Sequence, residues 1–207
     1  MILIRIYYDC EFFEDGRIID LISIGMVAED GRELYFVNEA IGTDVALYER
    51  ICAHDWLMEN VVPHLPVKPD RPDTSYRSVR PRNKTNPHSK SGFDLDFTNN
   101  WIVPLRFIRA EVREFILATP QPELWADYGA YDHVALCQLW GRMIDLPDGV
   151  PMWTNDIRQE VVRLGNPPMP VQQADEHNAL ADARHNRAMA QHLAVAAPAN
   201  PSAAMEG

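Results

Sequence analysis

Asp9-Cys10-Glu11 closes the first apolar run of the chain and is the first place where the residue types could do chemistry. On a strand, residues two apart share a face, so both carboxylates project together. Held that close, each raises the pKa of the other unless a cation lies between them. A hard, oxygen-preferring divalent ion such as Mg²⁺ or Mn²⁺ relieves that repulsion. A further acid, Asp132, follows Gly129 and Tyr131 where a helix opens, a position that favours negative charge for its own sake. The third grouping is His177-Asn-Ala-Leu-Ala-Asp182, with Asp182 flanked by the small residues Ala181 and Ala183. Histidine is a poor N-cap, yet His177 stands where a helix begins. A neutral imidazole near pH 7 can take a proton from water. Each grouping also has an ordinary reading: a solvated strand end, a helix cap, a packed histidine. His54, His64, His88, His185 and His192 show no partner pattern, and His133 reads as local packing.

The elements that must position these groups follow from periodicity. β-branched and aromatic residues mark strands at 2–10, 17–28 and 33–37, joined as an antiparallel meander through the turn Glu29-Asp30-Gly31. Helical spacing runs over 44–62 with Asp44 as N-cap. Pro104 opens a further helix, 123–126 is a short strand, and 130–140, 155–164 and 177–193 are helical. From 63 to about 100 the prolines and polar residues carry no sustained period, as in a functional loop or an unfolded segment.

The chain has 207 residues and a mass of 23.6 kDa, the size of one domain. We expect that domain to span 1–194, with a basic, proline-rich insertion at about 66–100 and a disordered tail at 195–207. No apolar run reaches the length of a membrane span, the first residues show no leader, and three widely spaced cysteines suit a reducing compartment. The expected location is the cytoplasm. The net charge of −11 argues against a nucleic-acid binder until its distribution is seen. Seven basic residues and two acids fall between Pro66 and Lys90, so an acidic body carries one positive arm. Such an arm can hold a polyanion locally.

Taken in order, Asp-x-Glu, Tyr131-Asp132 and His-x-x-x-x-Asp resemble the motifs of the DEDDh family of 3′-to-5′ exonucleases. In that family the second motif is roughly Asn-x-x-x-[Phe/Tyr]-Asp, and here Asp127 stands at the Asn position. Tyr8-Asp-Cys-Glu-Phe12, Asp15-Gly16, Ile22-Ser-Ile-Gly25, Glu29-Asp-Gly-Arg-Glu33 and the run from Gly129 to Gly141 are similar to the polyadenylate-specific exoribonucleases described from mycobacteria. The likeness covers about 2–36 and 123–193. It implies an α/β, RNase H-like fold with a mixed five-stranded sheet, an antiparallel meander plus parallel strands, flanked by helices. It also implies a homodimer and two Mg²⁺ ions, replaceable by Mn²⁺, held by Asp9, Glu11, Asp132 and Asp182. His177 would be the general base. The substrate would be single-stranded RNA, preferably adenylated at its 3′ end, and the product a nucleoside 5′-monophosphate. Phe12, Ser23 and Tyr131 are the expected substrate contacts, and Trp101 and Trp125 are either core or site. The alternatives are a DEDDh DNA exonuclease, an oligoribonuclease, or an idle binding module. The last usually lacks an acid, and none of the five residues is missing.

Overall fold

The computed structural model describes residues 4–68 and 92–196. Most of the basic segment, with His88, and the tail beyond 196 lie outside the described residues. Among the described residues six strands form one sheet in the order β4-β3-β2-β1-β5-β6. They are β1 (Ile4–Glu14), β2 (Ile19–Ala28), β3 (Glu33–Asn38), β4 (Ile102–Val103), β5 (Pro122–Ala126) and β6 (Thr154–Asp156). The first three pair antiparallel, and β4, β5 and β6 join in parallel. The sheet is mixed, as expected, but has six strands and not five. The edge strands β4 and β6 are two and three residues long, too short to carry an alternation that sequence could show.

Among the described residues seven α-helices flank the sheet: α1 (Ala40–Thr43), α2 (Val45–Cys52), α3 (Asp55–Asn60), α4 (Leu105–Leu117), α5 (Ala130–Gln138), α6 (Ile157–Arg163) and α7 (Ala179–Ala196). Asp44 caps α2 as expected, its Oδ1 accepting from the backbone of Ala46 and Leu47. The expected helix over 44–62 is broken, however. Backbone N–H groups at Ala53 and His54 end α2, and His54 Nδ1 then accepts from Leu57 N–H to start α3. The final helix begins two residues later than expected, for a reason given below.

Two cores divide the sheet's faces. Ile6, Tyr8 and Cys10 of β1 point into one, with Ile108, Val112 and Ile116 of α4 and Ala135 and Leu136 of α5. The other holds Val37, Ile41, Ile51, Leu57 and Ala179. Phe93 and Leu95 are buried in this second core, and Leu95 bridges to Val67. The segment over 63–100, expected to be a functional loop or an unfolded stretch, therefore has structured feet, anchored by apolar residues too few to show a period. No disulfide joins Cys10, Cys52 and Cys137. Among the described residues no helix is long and apolar enough to cross a membrane.

Candidate active site

β1 outlasts its neighbour. It pairs with β5 only as far as Tyr7 opposite Trp125, so the next backbone groups on that edge have no strand partner. A side chain takes their place: Asp132 Oδ1 accepts the N–H of Cys10 at 2.8 Å. Gly129 lets α5 turn in close enough for this, since a Cβ there would press on Ala126 and Thr154. On the other edge, Asp9 lies opposite Gly25 and Glu11 opposite Ser23, and the register slips between Glu11 and Phe12. That bulge leaves Ile22 unpaired and ends the regular ladder beside the carboxylates.

Gly25 decides where α7 begins. A Cβ at this position would collide with the Ala179 carbonyl, so only glycine lets the helix start rest on β2. Asn178 caps that start, its Oδ1 accepting from Ala181 N–H, while its Nδ2 donates to the His64 carbonyl and the Tyr35 hydroxyl. His177 therefore sits ahead of the cap, outside the helix. One turn beyond Asp182, the buried Asn186 donates to the Tyr8 carbonyl at 3.1 Å and locks α7 against β1.

His177 adopts a left-handed backbone with φ of 68°, a sparsely populated region for a non-glycine residue. In that conformation its N–H reaches Asp182 Oδ2 at 2.9 Å, while Gln172 Nε2 donates to Oδ1 at 2.6 Å. The imidazole packs edge-on against Trp56 of α3, with centroids 4.8 Å apart. Ligand atoms of Glu11, His177 and Asp182 all lie within 4.8 Å of one another.

The crowding of acids shows in their proton affinities. Burial, then the charges of Asp132, Glu11, Asp182 and Asp127, pushes Asp9 well above the usual carboxylate range. Burial, then Asp182 and Asp132, raises Glu11 to about 8. Burial raises Asp132 to about 7, against the opposing hydrogen bonds from the Cys10 N–H and its own N–H. Asp182 is raised as well, by burial, with Gln172 and the His177 N–H opposing. Carboxylates gathered at this cost fit a hard divalent cation, which restores the charged forms.

These groups line a cleft of about 610 Å³. Two curated proteins of Mycobacterium tuberculosis, from strains CDC 1551 and H37Rv, are both named 3′-5′ exoribonuclease. Each is 41% identical to this chain over 180 residues, which is 87% of this chain and 87% of the relative. The chain belongs to this family of 3′-5′ exoribonucleases. Its members are phosphodiester hydrolases by name and chemistry. No protein-family profile matches the sequence.

In this exoribonuclease the five residues Asp9, Glu11, Asp132, His177 and Asp182, expected from their order along the chain, all line one cleft. Phe12 and Tyr131 line it too, their rings 6.0 Å apart and nearly parallel at 15°. Phe13 turns into the core, which leaves Phe12 as the outward member of the pair. Ser23, expected to touch substrate, is fully buried between β1 and β3 and is not among the residues that line the cleft. Trp101 is half exposed and edge-on to Tyr35, and Trp125 is partly buried beneath the Arg5 guanidinium. His133 is held by Thr154 Oγ1 and the Met152 carbonyl, a local role as expected. His185, which shows no partner pattern in the sequence, lines the cleft.

Four contributors escaped the sequence reading. Asn186 carried a usable signal, four residues after Asp182 on the same helical face. Trp56, Gln172 and Arg158 carried none, because each reaches the site from a separate segment. Arg158 also accounts for Asp127 at the motif position of an asparagine, since the two form an ion pair of 2.7 Å.

Proposed function

We propose that this chain hydrolyses single-stranded RNA from its 3′ end, releasing nucleoside 5′-monophosphates one at a time, in a divalent-metal-dependent reaction on an RNase H-like fold. The observation that carries the reading is the convergence of Asp9 and Glu11 from β1, Asp132 from α5, and His177 and Asp182 from α7 and the loop before it. Asp9, Glu11 and Asp182 would hold one Mg²⁺, and Asp9 with Asp132 would support a second, with Mn²⁺ able to substitute. When bound, such a pair stabilises the attacking and leaving oxygens of an in-line displacement at phosphorus.

The chain's own groups do the rest. His177 accepts the proton of the attacking water at a ring nitrogen. Asp182 holds the His177 backbone, and Trp56 confines the ring, so the base is oriented before substrate arrives. Phe12 and Tyr131 offer an aromatic wall for the terminal base, where stacking contributes about 1–3 kcal/mol. The reading includes a preference for adenylated 3′ ends, a homodimer and action in the cytoplasm, all supported by the resemblance to the mycobacterial enzymes. The basic arm between Pro66 and Lys90 then serves as a clamp for the strand.

The test uses RNA with and without a 3′ adenosine tail, and a matched single-stranded DNA, each labelled at the 5′ end. Faster shortening of the adenylated RNA supports the exoribonuclease and its preference for adenylated 3′ ends. Equal shortening of both RNAs removes the adenosine preference, and shortening of DNA alone replaces the exoribonuclease by a DNA exonuclease.

A further inference from the structure

Seven acids line the cleft, and Arg158 is the one lysine or arginine among the described residues that does so. It is the second residue of α6, just past β6, and its backbone N–H is fixed by Asp156 Oδ1 at 2.7 Å. Its guanidinium donates to Asp127 Oδ2 at 2.7 Å and lies over the Tyr128 ring, 4.9 Å from the centroid. Tyr128 itself holds a left-handed backbone, with φ of 54°. The ion pair leaves both partners incompletely satisfied. Arg158 Nε and Asp127 Oδ1 are buried without an acceptor or donor among the described residues, and 37% of the arginine side chain is exposed.

The sheet order sets a direction. His177 touches Trp56 of α3, and its neighbour Asn178 touches Tyr35 of β3, so the base stands on the β2–β3 side of β1. Arg158 stands on the opposite side, past β5 and β6. In an in-line displacement the attacking and leaving oxygens lie on opposite sides of the phosphorus. Water deprotonated at His177 therefore expels the 3′-oxygen of the shortened strand toward the Asp132 and Arg158 side. The shortened strand carries its next phosphate that way, past Asp127 and Asp132, where Arg158 supplies the positive charge.

We infer that Arg158, braced by Asp127 and Tyr128, binds the phosphate immediately upstream of the scissile one and so sets the preference for substrates longer than a dinucleotide. The inference rests on the exoribonuclease reading above. ApA contains only the scissile phosphate, whereas ApApA contains the upstream one as well, so the pair isolates this contact.

The experiment compares kcat/KM for ApA and ApApA in the wild type, Arg158→Gln and Arg158→Lys, across a salt series in Mg²⁺. In the wild type ApApA is the better substrate, and Arg158→Gln reduces that advantage about tenfold to hundredfold, as loss of a charge-assisted hydrogen bond does. The slope of log KM for ApApA against log salt falls by about 0.7, one phosphate contact on a single strand, and Arg158→Lys restores it. A neutral methylphosphonate at the upstream linkage of ApApA weakens the wild type and leaves Arg158→Gln no weaker than before. An equal loss on both substrates in Arg158→Gln, or no loss on either, overturns the inference. Failure of the wild type to cleave ApA and ApApA overturns it together with the exoribonuclease reading, a result distinct from the other two.

Discussion

At the scale of single residues, the site concentrates negative charge where folding alone has no use for it. Glu11 raised to about 8 and Asp132 raised to about 7 both bind protons more tightly in the folded chain than an unfolded carboxyl does, at about 4. A raised carboxylate pKa contributes stability below the unfolded value, and that contribution is lost as pH rises through the folded value. The metal-free protein in EDTA is therefore expected to melt at a lower temperature at pH 9 than at pH 5. Mg²⁺ recovers the loss chiefly at the high-pH end, because the cation replaces the missing protons. Thermal melts across that range check this, and a metal-free melting temperature that rises steadily with pH contradicts it.

In the proposed reaction, removal of His177 separates chemistry from binding. His177→Asn keeps the N–H that Asp182 accepts and tolerates the left-handed backbone. Its expected effect is a fall in kcat of about 10²–10⁴ with little change in RNA affinity. Single-turnover rates and a Ca²⁺-supported binding assay measure the two separately. A fall in affinity with unchanged kcat assigns the imidazole to binding instead.

At the scale of elements, the site depends on where α7 touches the sheet. Gly25→Ala forces the Ala179 carbonyl away from β2, displacing the cap at Asn178 and with it both His177 and Asp182. The expected cost is about 1–3 kcal/mol of stability together with most of the activity. Asn186→Ala leaves the Tyr8 carbonyl buried without its donor and costs about 1–3 kcal/mol by a different route. Denaturant unfolding reads both, and a wild-type midpoint in either variant contradicts the role given to that contact.

The same elements show what sequence could and could not reveal. β1 and β2 announced themselves by their β-branched and aromatic residues, and α4 because Ile108, Val112 and Ile116 recur every four residues. The three acidic and histidine groupings were legible because their spacing along one strand or one helix is local. Gln172 and Arg158, which line the cleft, and Trp56, which packs against His177, were not legible, since tertiary contacts bring each to its place. The same reasoning explains Ser23: its place on a strand beside Glu11 was visible, whereas its complete burial between β1 and β3 depends on tertiary packing. Two-residue β4 left no periodic trace at all.

At the scale of the whole molecule, charge is divided between an acidic body and one basic segment. The segment's feet are tied together by the Val67–Leu95 bridge and by Lys68 N–H donating to the Asp94 carbonyl at 2.8 Å. Removing 75–91 with a short linker therefore keeps the feet in place while deleting five of the seven basic residues. The expected result is weaker binding of long RNA and a flatter dependence on salt, with cleavage of very short substrates retained. Unchanged affinity for long RNA in this deletion removes the clamp from the reading.

The convergence of five residues from three distant parts of the chain is tested most directly on 5′-labelled single-stranded RNA. Wild type and Asp9→Asn are each assayed in Mg²⁺ and again after EDTA. A ladder that shortens one nucleotide at a time in Mg²⁺, vanishes in EDTA and is absent from folded Asp9→Asn is the expected result. A ladder that persists in EDTA, or one that Asp9→Asn produces at the wild-type rate, contradicts a metal-dependent site built on these acids.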